Sequence, residues 1–208
     1  KLATVLIDAA VTGTALGKVP YKTKKKERFE RLIDETGNVE LTKEKVFSKI
    51  IGYNDFEPVN IFNVFPSTTT DKLNKGWLIL RDFVPVSDLK ETNEANGGKF
   101  YQNLDKVSGT PSYAEFHEYN TARNRLTNDS EPSDPTTDIA TTYECFEGDM
   151  VYLFAESKDA KSKDSWVLLR KSKNYYWHGK WPVVKFNLKK RPFEFWGQGL
   201  VELTERLQ

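Results

Sequence analysis

Apolar residues recur at helical spacing at the start of the chain and then give way to an alternating pattern. Leu2 to Val11 places apolar residues on a helical repeat, and Gly13 follows where a left-handed helix end would sit. From Thr14 to Lys24 apolar and polar residues alternate as in short strands, ending in the basic run KTKKK. The pattern therefore predicts one helix followed by β-structure.

The next alternating segments predict a hairpin and two further strands. Residues 29–53, FERLIDETGNVELTKEKVFSKIIGY, fit two strands around a turn at 35–38, but Thr42 also fits the cap of a helix through Ile50. Both interpretations stay open at this stage. EPVNIFNVFPS (57–67) and GWLILRDFVPV (76–86) are rich in β-branched and aromatic residues, so each predicts a strand.

Helical spacing returns in the middle of the chain. Ser87 is a plausible N-cap for a helix over DLKETNEA, which Gly97 and Gly98 end. Thr110 then caps a longer helix that begins at Pro111 and runs through SYAEFHEYNTARNRL to residue 126. Residues 127–138, TNDSEPSDPTTD, are acidic, proline-bearing and free of apolar residues, which predicts a mobile acidic loop.

The last third of the chain reads as strands separated by turns. The segments are IATTYECFE, MVYLFAE, SWVLLRKSKNYYWHG and WPVVKFNLK, with a Gly148-Asp149 turn after the first and a hairpin loop SKDAKSKD after the second. Strands and helices are not arranged as regular βαβ units. We therefore expect an α+β fold of mostly antiparallel strands with a few helices, forming a single domain over residues 1–208.

Composition is compatible with a folded core. The 208 residues are 38% hydrophobic, 29% charged and 13% aromatic, and the formal net charge is +1. Charge is unevenly distributed: residues 18–28 hold six basic residues against one acid, residues 180–191 hold five against none, and residues 129–149 hold seven acids and no Lys or Arg. No apolar run approaches the roughly 20 residues of a membrane span, so we expect no membrane partner.

Motifs for catalysis, nucleotides or metals are missing from the sequence. His117 lies in the predicted aromatic helix and His178 in a predicted turn, without a His-Glu-x-x-His pattern. Cys145 has Glu144 and Glu147 beside it, and their charges would raise the thiol pKa and disfavour a nucleophilic thiolate. We therefore expect no enzyme, no cofactor and no metal.

Two basic clusters interleaved with aromatic residues are the remaining chemical signal. They suggest contacts with DNA or with a neighbouring subunit, since such mixtures follow phosphate backbones. An alternative function is therefore a nucleic-acid-binding module that uses residues 18–28 and 180–191. The candidate contact residues are Lys22, Lys24, Lys25 and Lys26 beside Tyr21, and Lys189, Lys190 and Arg191 beside Phe193.

Three collinear stretches resemble the portal proteins of tailed bacteriophages. LIDAAVTGTALGKVPYK is similar to the helix-to-strand entry of that family. The middle stretch, residues 59–91, resembles in order a V-x-P-F-D-x-x-P strand, a polar loop, a W-x-I-x-R strand and an L-K-E helix of that family. The closing stretch, residues 178–202, resembles the family's HGK-x-P-F-V strand and its F-Y-G-x-G-x-x-E junction. The middle matches are Val59, Phe62, Val64, Phe65, Pro66, Trp77, Ile79, Arg81, Val84, Ser87, Leu89 and Lys90, and the closing ones are His178, Gly179, Lys180, Pro182, Val183, Phe195, Gly197, Gly199 and Glu202.

The match has two departures and a gap. Asn63 stands where the family often has Asp, and Trp196 stands where it often has Tyr. Residues 111–126 and the acidic loop match nothing in the family pattern. Trp196, Gly197 and Gly199 would form a structural junction, with the two glycines permitting a tight turn from strand to helix.

The resemblance implies a non-enzymatic wing-type domain of a longer portal subunit, with the stem, clip and crown absent. The whole subunit would form a ring of copies of itself, typically twelve, at one capsid vertex of the virion, after synthesis in the bacterial host cytoplasm. Double-stranded DNA would pass through its channel during packaging and ejection. The other implied partners are the major capsid protein, the terminase and tail or adaptor proteins.

Overall fold

We describe the protein from a computed structural model. It describes residues 1–33, 39–109, 138–158, 166–174, 176 and 178–205, with the backbone alone for residues 23–33 and 39–50. The predicted turn at 35–38 and the predicted helix at 111–126 lie outside these residues, as does all of the acidic loop at 127–138 except Asp138.

Strands dominate the described residues, and three α-helices and two 3₁₀ helices accompany them. In chain order the elements are α1 (Leu2–Thr12), β1 (Thr14–Lys18), β2 (Tyr21–Ile33), β3 (Val39–Asn54), β4 (Glu57–Val59), a 3₁₀ helix (Ile61–Asn63), β5 (Val64–Pro66), β6 (Trp77–Pro85), α2 (Val86–Ala95), a 3₁₀ helix (Leu104–Lys106), β7 (Ile139–Glu147), β8 (Met150–Glu156), β9 (Trp166–Lys173), β10 (Val183–Asn187), β11 (Lys189–Lys190), β12 (Gly197–Gln198) and α3 (Leu200–Glu205). Every strand pair is antiparallel. The α+β class is confirmed.

Helix α1 ends as its sequence predicts. Gly13 has a φ of 84°, in the left-handed region that glycine occupies without strain, and its N–H donates to Ala9 O at 2.9 Å. The chain turns directly into β1, the central strand of a three-stranded sheet ordered β10-β1-β4. This sheet brings together segments from the start, the first third and the end of the chain.

The β2–β3 hairpin forms a separate two-stranded sheet. Its ladder runs from Tyr21 opposite Asn54 to Ile33 opposite Val39, with register shifts on either side of Phe29. The hairpin prediction is confirmed, and the alternative helix from Thr42 to Ile50 is wrong, because β3 continues through that segment.

The largest sheet has five strands in the order β5-β6-β7-β8-β9. Strand β6 pairs with β7 over its whole length, from Trp77 opposite Glu147 to Pro85 opposite Ile139. Strand β8 pairs with both β7 and β9, with one register shift between Leu153 and Phe154. The predicted strands at 139–147 and 150–156 are confirmed.

Two sequence predictions need correction in the middle of the chain. Residues 57–67 form β4, a 3₁₀ helix and β5 instead of a single strand, because the Asn60 side chain accepts a hydrogen bond from Phe62 N at 3.0 Å and turns the chain. Ser87 does not cap α2. The helix begins at Val86, two residues earlier than predicted, and the Ser87 hydroxyl donates to Asp88 Oδ1 at 3.2 Å.

Two apolar clusters form the core. The first brings residues of β1, β5, β6, β7, β8 and β10 together around Leu16, Leu78 and Phe146. In the second cluster, α2 and the segment around the second 3₁₀ helix pack against strands β7, β8 and β9, around Leu89 and Leu169. Because both clusters use β7 and β8, the five-stranded sheet connects them.

Candidate functional site

The glycines near the end of the chain form a close backbone contact with Gly13. Gly197 N–H donates to the buried Thr14 Oγ1 at 2.6 Å, and Leu188 N–H donates to Gly13 O at 2.9 Å. A methyl group on Gly197 would lie 2.4 Å from Gly13 O, and one on Gly199 would lie 2.3 Å from Val11 O. These glycines are thus required by the approach of two backbones. We call Gly13, Thr14, Gly197 and Gly199 the terminal junction.

Trp196 and Phe195 lie on the core side of this junction. Phe195 is buried in the first apolar cluster, and Trp196 packs against that cluster. Their rings meet edge to face with centroids 4.9 Å apart. Both rings thus attach the junction to the core, and Gly197 and Gly199 lie where β12 leads into α3.

Most of the described basic side chains in the two clusters are already paired within the chain. Lys22 Nζ donates to Asp55 Oδ2 at 2.9 Å and also to Glu57. These hydrogen bonds raise the pKa of Lys22 above its usual range. Lys1 also binds Asp55, with Nζ 2.7 Å from Oδ1, and such bonds hold the Asp55 pKa below its ordinary value.

The second cluster follows the same pattern. Lys190 Nζ is 3.4 Å from Asp71 Oδ2, and Arg191 pairs with Glu194 at 3.2 Å and with Glu202. Lys189 lies opposite Gln198 in the β11–β12 ladder and has no ion pair with any residue of the described ranges. Of the candidate contacts in this cluster, Lys189 thus has the most accessible charge.

The remaining candidates lie in the hairpin. Lys24 is opposite Ile51 in the ladder, Lys25 is opposite Ile50 and Lys26 is opposite Lys49. They are on the separate two-stranded sheet, whereas Lys189, Lys190 and Arg191 are at or beside β11. These candidate residues thus belong to different sheets, although Lys18 and Lys185 of the same two clusters lie on the paired strands β1 and β10.

Apolar side chains cover an exposed face of the two terminal helices. Helix α1 buries Ala9, whereas Leu2, Leu6, Ile7 and Val11 are each more than half exposed. Helix α3 contacts α1 and adds two apolar side chains that are also more than half exposed. We call this set the apolar helix face, and it consists of Leu2, Leu6, Ile7, Val11, Leu200 and Val201.

A polar cleft of about 340 Å³ lies between the two apolar clusters. It is lined by Leu80 from the first cluster and by Leu89 from the second. Charged side chains from five strands and from helix α2 complete its walls, so it differs sharply from the apolar packing on both sides. Its charged and polar lining residues include Lys18, Glu57, Asp82, Asp88, Tyr101, Thr142, Glu144 and Arg170.

Strand register explains why charges meet in this cleft. Leu80, Glu144, Leu153 and Arg170 are successive partners across β6, β7, β8 and β9, which places them in one row. Lys18, at the end of β1, reaches this row and pairs with Glu144. Burial opposes the Lys18 charge, but Glu144 outweighs burial, and the net effect raises the pKa of Lys18.

Asp82 and Tyr101 respond to the same surroundings. Asp82 is exposed to solvent, but the cleft walls displace part of the water around its carboxyl group and thereby raise its pKa. The hydrogen bond that the carboxylate accepts from Phe83 N–H lowers the pKa and only partly offsets this effect. Burial also raises the pKa of the Tyr101 phenol, which lies within electrostatic reach of Arg170, Glu144 and Lys18. The sequence did not single out this cleft. The sequence nevertheless contained a signal for it. Charged residues stand at strand positions where the alternation otherwise places apolar residues that face the core.

His178 and Cys145, two of the residues that the sequence offered for catalysis, lie in surroundings that do not activate them for it. His178 Nδ1 accepts from Lys180 N–H at 3.0 Å and its ring stacks on Tyr176, in a turn before β10 as predicted. Burial and the charge of Glu147 raise the pKa of Cys145. His117 lies outside the described residues. Within the described ranges no group of three or more His, Cys, Asp or Glu side chains is placed to hold a metal ion.

No family model and no curated protein matches this sequence. In the part of the chain that the structure describes, no helix is long and apolar enough to cross a membrane.

Proposed function

We propose that this chain is a structural, non-enzymatic lobe of a ring-forming portal subunit. The apolar helix face carries the proposal. It places six exposed apolar side chains on two adjoining helices, next to a terminal junction that fixes those helices to the sheets. A surface of this kind is expected where a lobe joins the rest of an assembly.

The size of this face supports an interface. Six large side chains that are each more than half exposed present about 600 Å² of apolar surface, the upper end for the largest patch on a typical monomer. A standard protein interface buries about 800 Å² on each partner. The apolar helix face therefore fits the centre of such an interface.

The proposed setting follows from the sequence resemblance. Further copies of the subunit would complete the ring at a capsid vertex, and double-stranded DNA would pass through the central channel. The major capsid protein, terminase and tail or adaptor proteins would contact other parts of the same assembly. The residues 24–26 in the hairpin and Lys189 are our candidates for contacts with DNA or a neighbouring subunit.

Nucleic-acid binding by the lobe itself is the second candidate. It is favoured by Phe193, which is 95% exposed with a left-handed φ of 62° and lies three residues beyond Lys190, the last residue of β11. The ion pairs of Lys22, Lys190 and Arg191 weigh against it, because they leave fewer charges for phosphates. If the lobe is such a module, its affinity for oligonucleotides should fall steeply with added salt.

Electron microscopy of the protein encoded by the complete gene tests the first candidate. We expect rings with a central channel, and we expect Leu6→Asp to prevent ring formation, because it places a charge within the apolar helix face. Lys90→Asp is the control, since it places an acidic charge at an exposed position of helix α2, outside the apolar helix face. Wild-type protein that stays monomeric, or Leu6→Asp protein that forms normal rings, would contradict the proposal.

A further inference from the structure

Arg170 at one end of the polar cleft has an unused donor. Its Nε is enclosed and has no hydrogen-bond acceptor within the described part of the chain, although the side chain lines the cleft. The guanidinium lies 4.7 Å from the centroid of the Phe100 ring, which holds its plane in place. The Arg170 charge also has no ion pair within the described residues, so this end of the cleft is suited to an anionic acceptor.

Tyr101 supplies a second donor beside Arg170, and its backbone is firmly held. Asn93 Oδ1 accepts from Phe100 N and Tyr101 N, both at 2.9 Å, and Gln102 N donates to Leu169 O at 2.8 Å. These bonds fix the segment to α2 and β9. The two donors are therefore held in position before any ligand arrives, which lowers the entropy cost of binding.

The opposite end of the cleft is acidic. Asp82 has no ion pair within the described residues, whereas Glu144 is already paired with Lys18. Asp82 is on β6 and Arg170 is on β9, so three strand spacings, about 14 Å, separate their backbones. Side chains that reach into the cleft from both ends leave room for a short ligand between them.

We propose that this cleft binds a small zwitterionic amino carboxylate, with its carboxylate on Arg170 and Tyr101 and its ammonium toward Asp82. The planar guanidinium fork matches a carboxylate in shape and charge. A ligand with several negative charges is disfavoured, because Asp82 and Asp88, two carboxylates without an ion pair in the described part of the chain, also line the cleft. This inference does not depend on the proposed portal function.

Titrations followed by the Arg170 Nε–H signal in ¹H–¹⁵N spectra test the inference. The probes are 6-aminohexanoate, succinate and inorganic phosphate at matched ionic strength. We expect 6-aminohexanoate to shift this signal with a Kd of about 1–10 mM, in the range for a ligand of this size. Succinate should bind about fivefold more weakly, and phosphate should bind more weakly still.

Four variants give the test its controls. Arg170→Gln should abolish binding; because this variant lacks the Nε–H group, its titration is followed by the backbone N–H signal of Tyr101, which is recorded for wild-type protein as well. Tyr101→Phe, which keeps the ring in place, should weaken binding a few-fold. Asp82→Asn should remove the preference for 6-aminohexanoate over succinate. Lys173→Gln removes one exposed charge from the same strand and should change nothing.

Three results would overturn the inference. They are an Arg170 signal that none of the probes moves, equal binding of 6-aminohexanoate and succinate, and a preference that persists in Asp82→Asn. None of these results bears on ring formation, so the two proposals fail separately.

Discussion

The two ends of strand β1 are built on opposite principles. At Thr14 the terminal junction has no room for one methyl group, and two backbones touch. At Lys18, four residues later, the strand opens into a polar cleft of about 340 Å³. One short strand thus joins a close contact between two backbones to a polar cleft.

The difference shows what each end can tolerate. The terminal junction depends on shape, so any added atom must displace backbone. The cleft depends on charge balance, so atoms can be exchanged there if the charges remain matched. Substitutions at the Thr14 end should therefore change stability most, and those at the Lys18 end should depend more on pH and partner charge.

Gly197→Ala should have the largest effect. Its new methyl group would lie 2.4 Å from Gly13 O, and we expect the free energy of unfolding to fall by about 3 kcal/mol or more. Chemical denaturation measures this. Gly98→Ala is the control, because Gly98 has a left-handed φ of 73° with no atom near its added methyl, and should cost only about 1 kcal/mol. Equal losses would show that the junction is not tightly packed.

Thr14→Val tests the hydrogen bond of the junction. Valine keeps the shape but leaves the buried Gly197 N–H without its acceptor, which should lower the free energy of unfolding by about 2 kcal/mol. Thr14→Ser keeps the hydroxyl and should cost less, although it removes a methyl group. Thermal melts of the two variants decide this, and a more stable valine variant would argue that packing alone matters there.

Lys18→Met should lower the free energy of unfolding by about 1 kcal/mol at neutral pH, because it leaves Glu144 partly buried and unpaired. The second substitution Glu144→Gln should recover most of that loss, since it removes the unpaired charge. The double-mutant cycle measures the coupling directly. Simple addition of the two losses would show that the charges do not interact.

Asp82→Asn should have the smallest effect and the opposite sign. Since the folded-state pKa of Asp82 is raised, its ionisation on going from acid to neutral pH destabilises the fold, and asparagine removes that loss. We expect a gain of less than about 0.5 kcal/mol at pH 7. The gain should vanish below the ordinary carboxyl pKa, and Tm measured across pH would contradict the assignment if it persisted in acid.

Sequence patterns predicted the elements whose signals are local. Helix α1, the hairpin and strand β6 each follow from spacing and turn residues within a few positions. The pattern failed at residues 57–67, where the Asn60 side chain overrides β-propensity, and at Ser87, where the helix begins after Pro85. Local competition between side chain and backbone decided both cases.

The candidate sites show the limit more clearly. Gly197 and Gly199 were recognised as a turn, but their contact with Gly13 joins residues more than 180 positions apart in the chain. The cleft likewise combines Lys18, Glu144 and Arg170, whose proximity depends on strand register and on how two sheets meet. Neither arrangement leaves a spacing pattern that a single sequence reveals.

The terminal junction also determines how the protein would carry a mechanical load. Helices α1 and α3 are in contact with each other. Helix α1 leads into one side of the terminal junction and helix α3 follows the other side, so the same few backbone contacts join both helices to the sheets. Tension applied to the two helices would therefore act first on the junction, while strands β2 to β9 stay out of the direct load path. The sheets would be shielded from force until Gly13 and Gly197 separate.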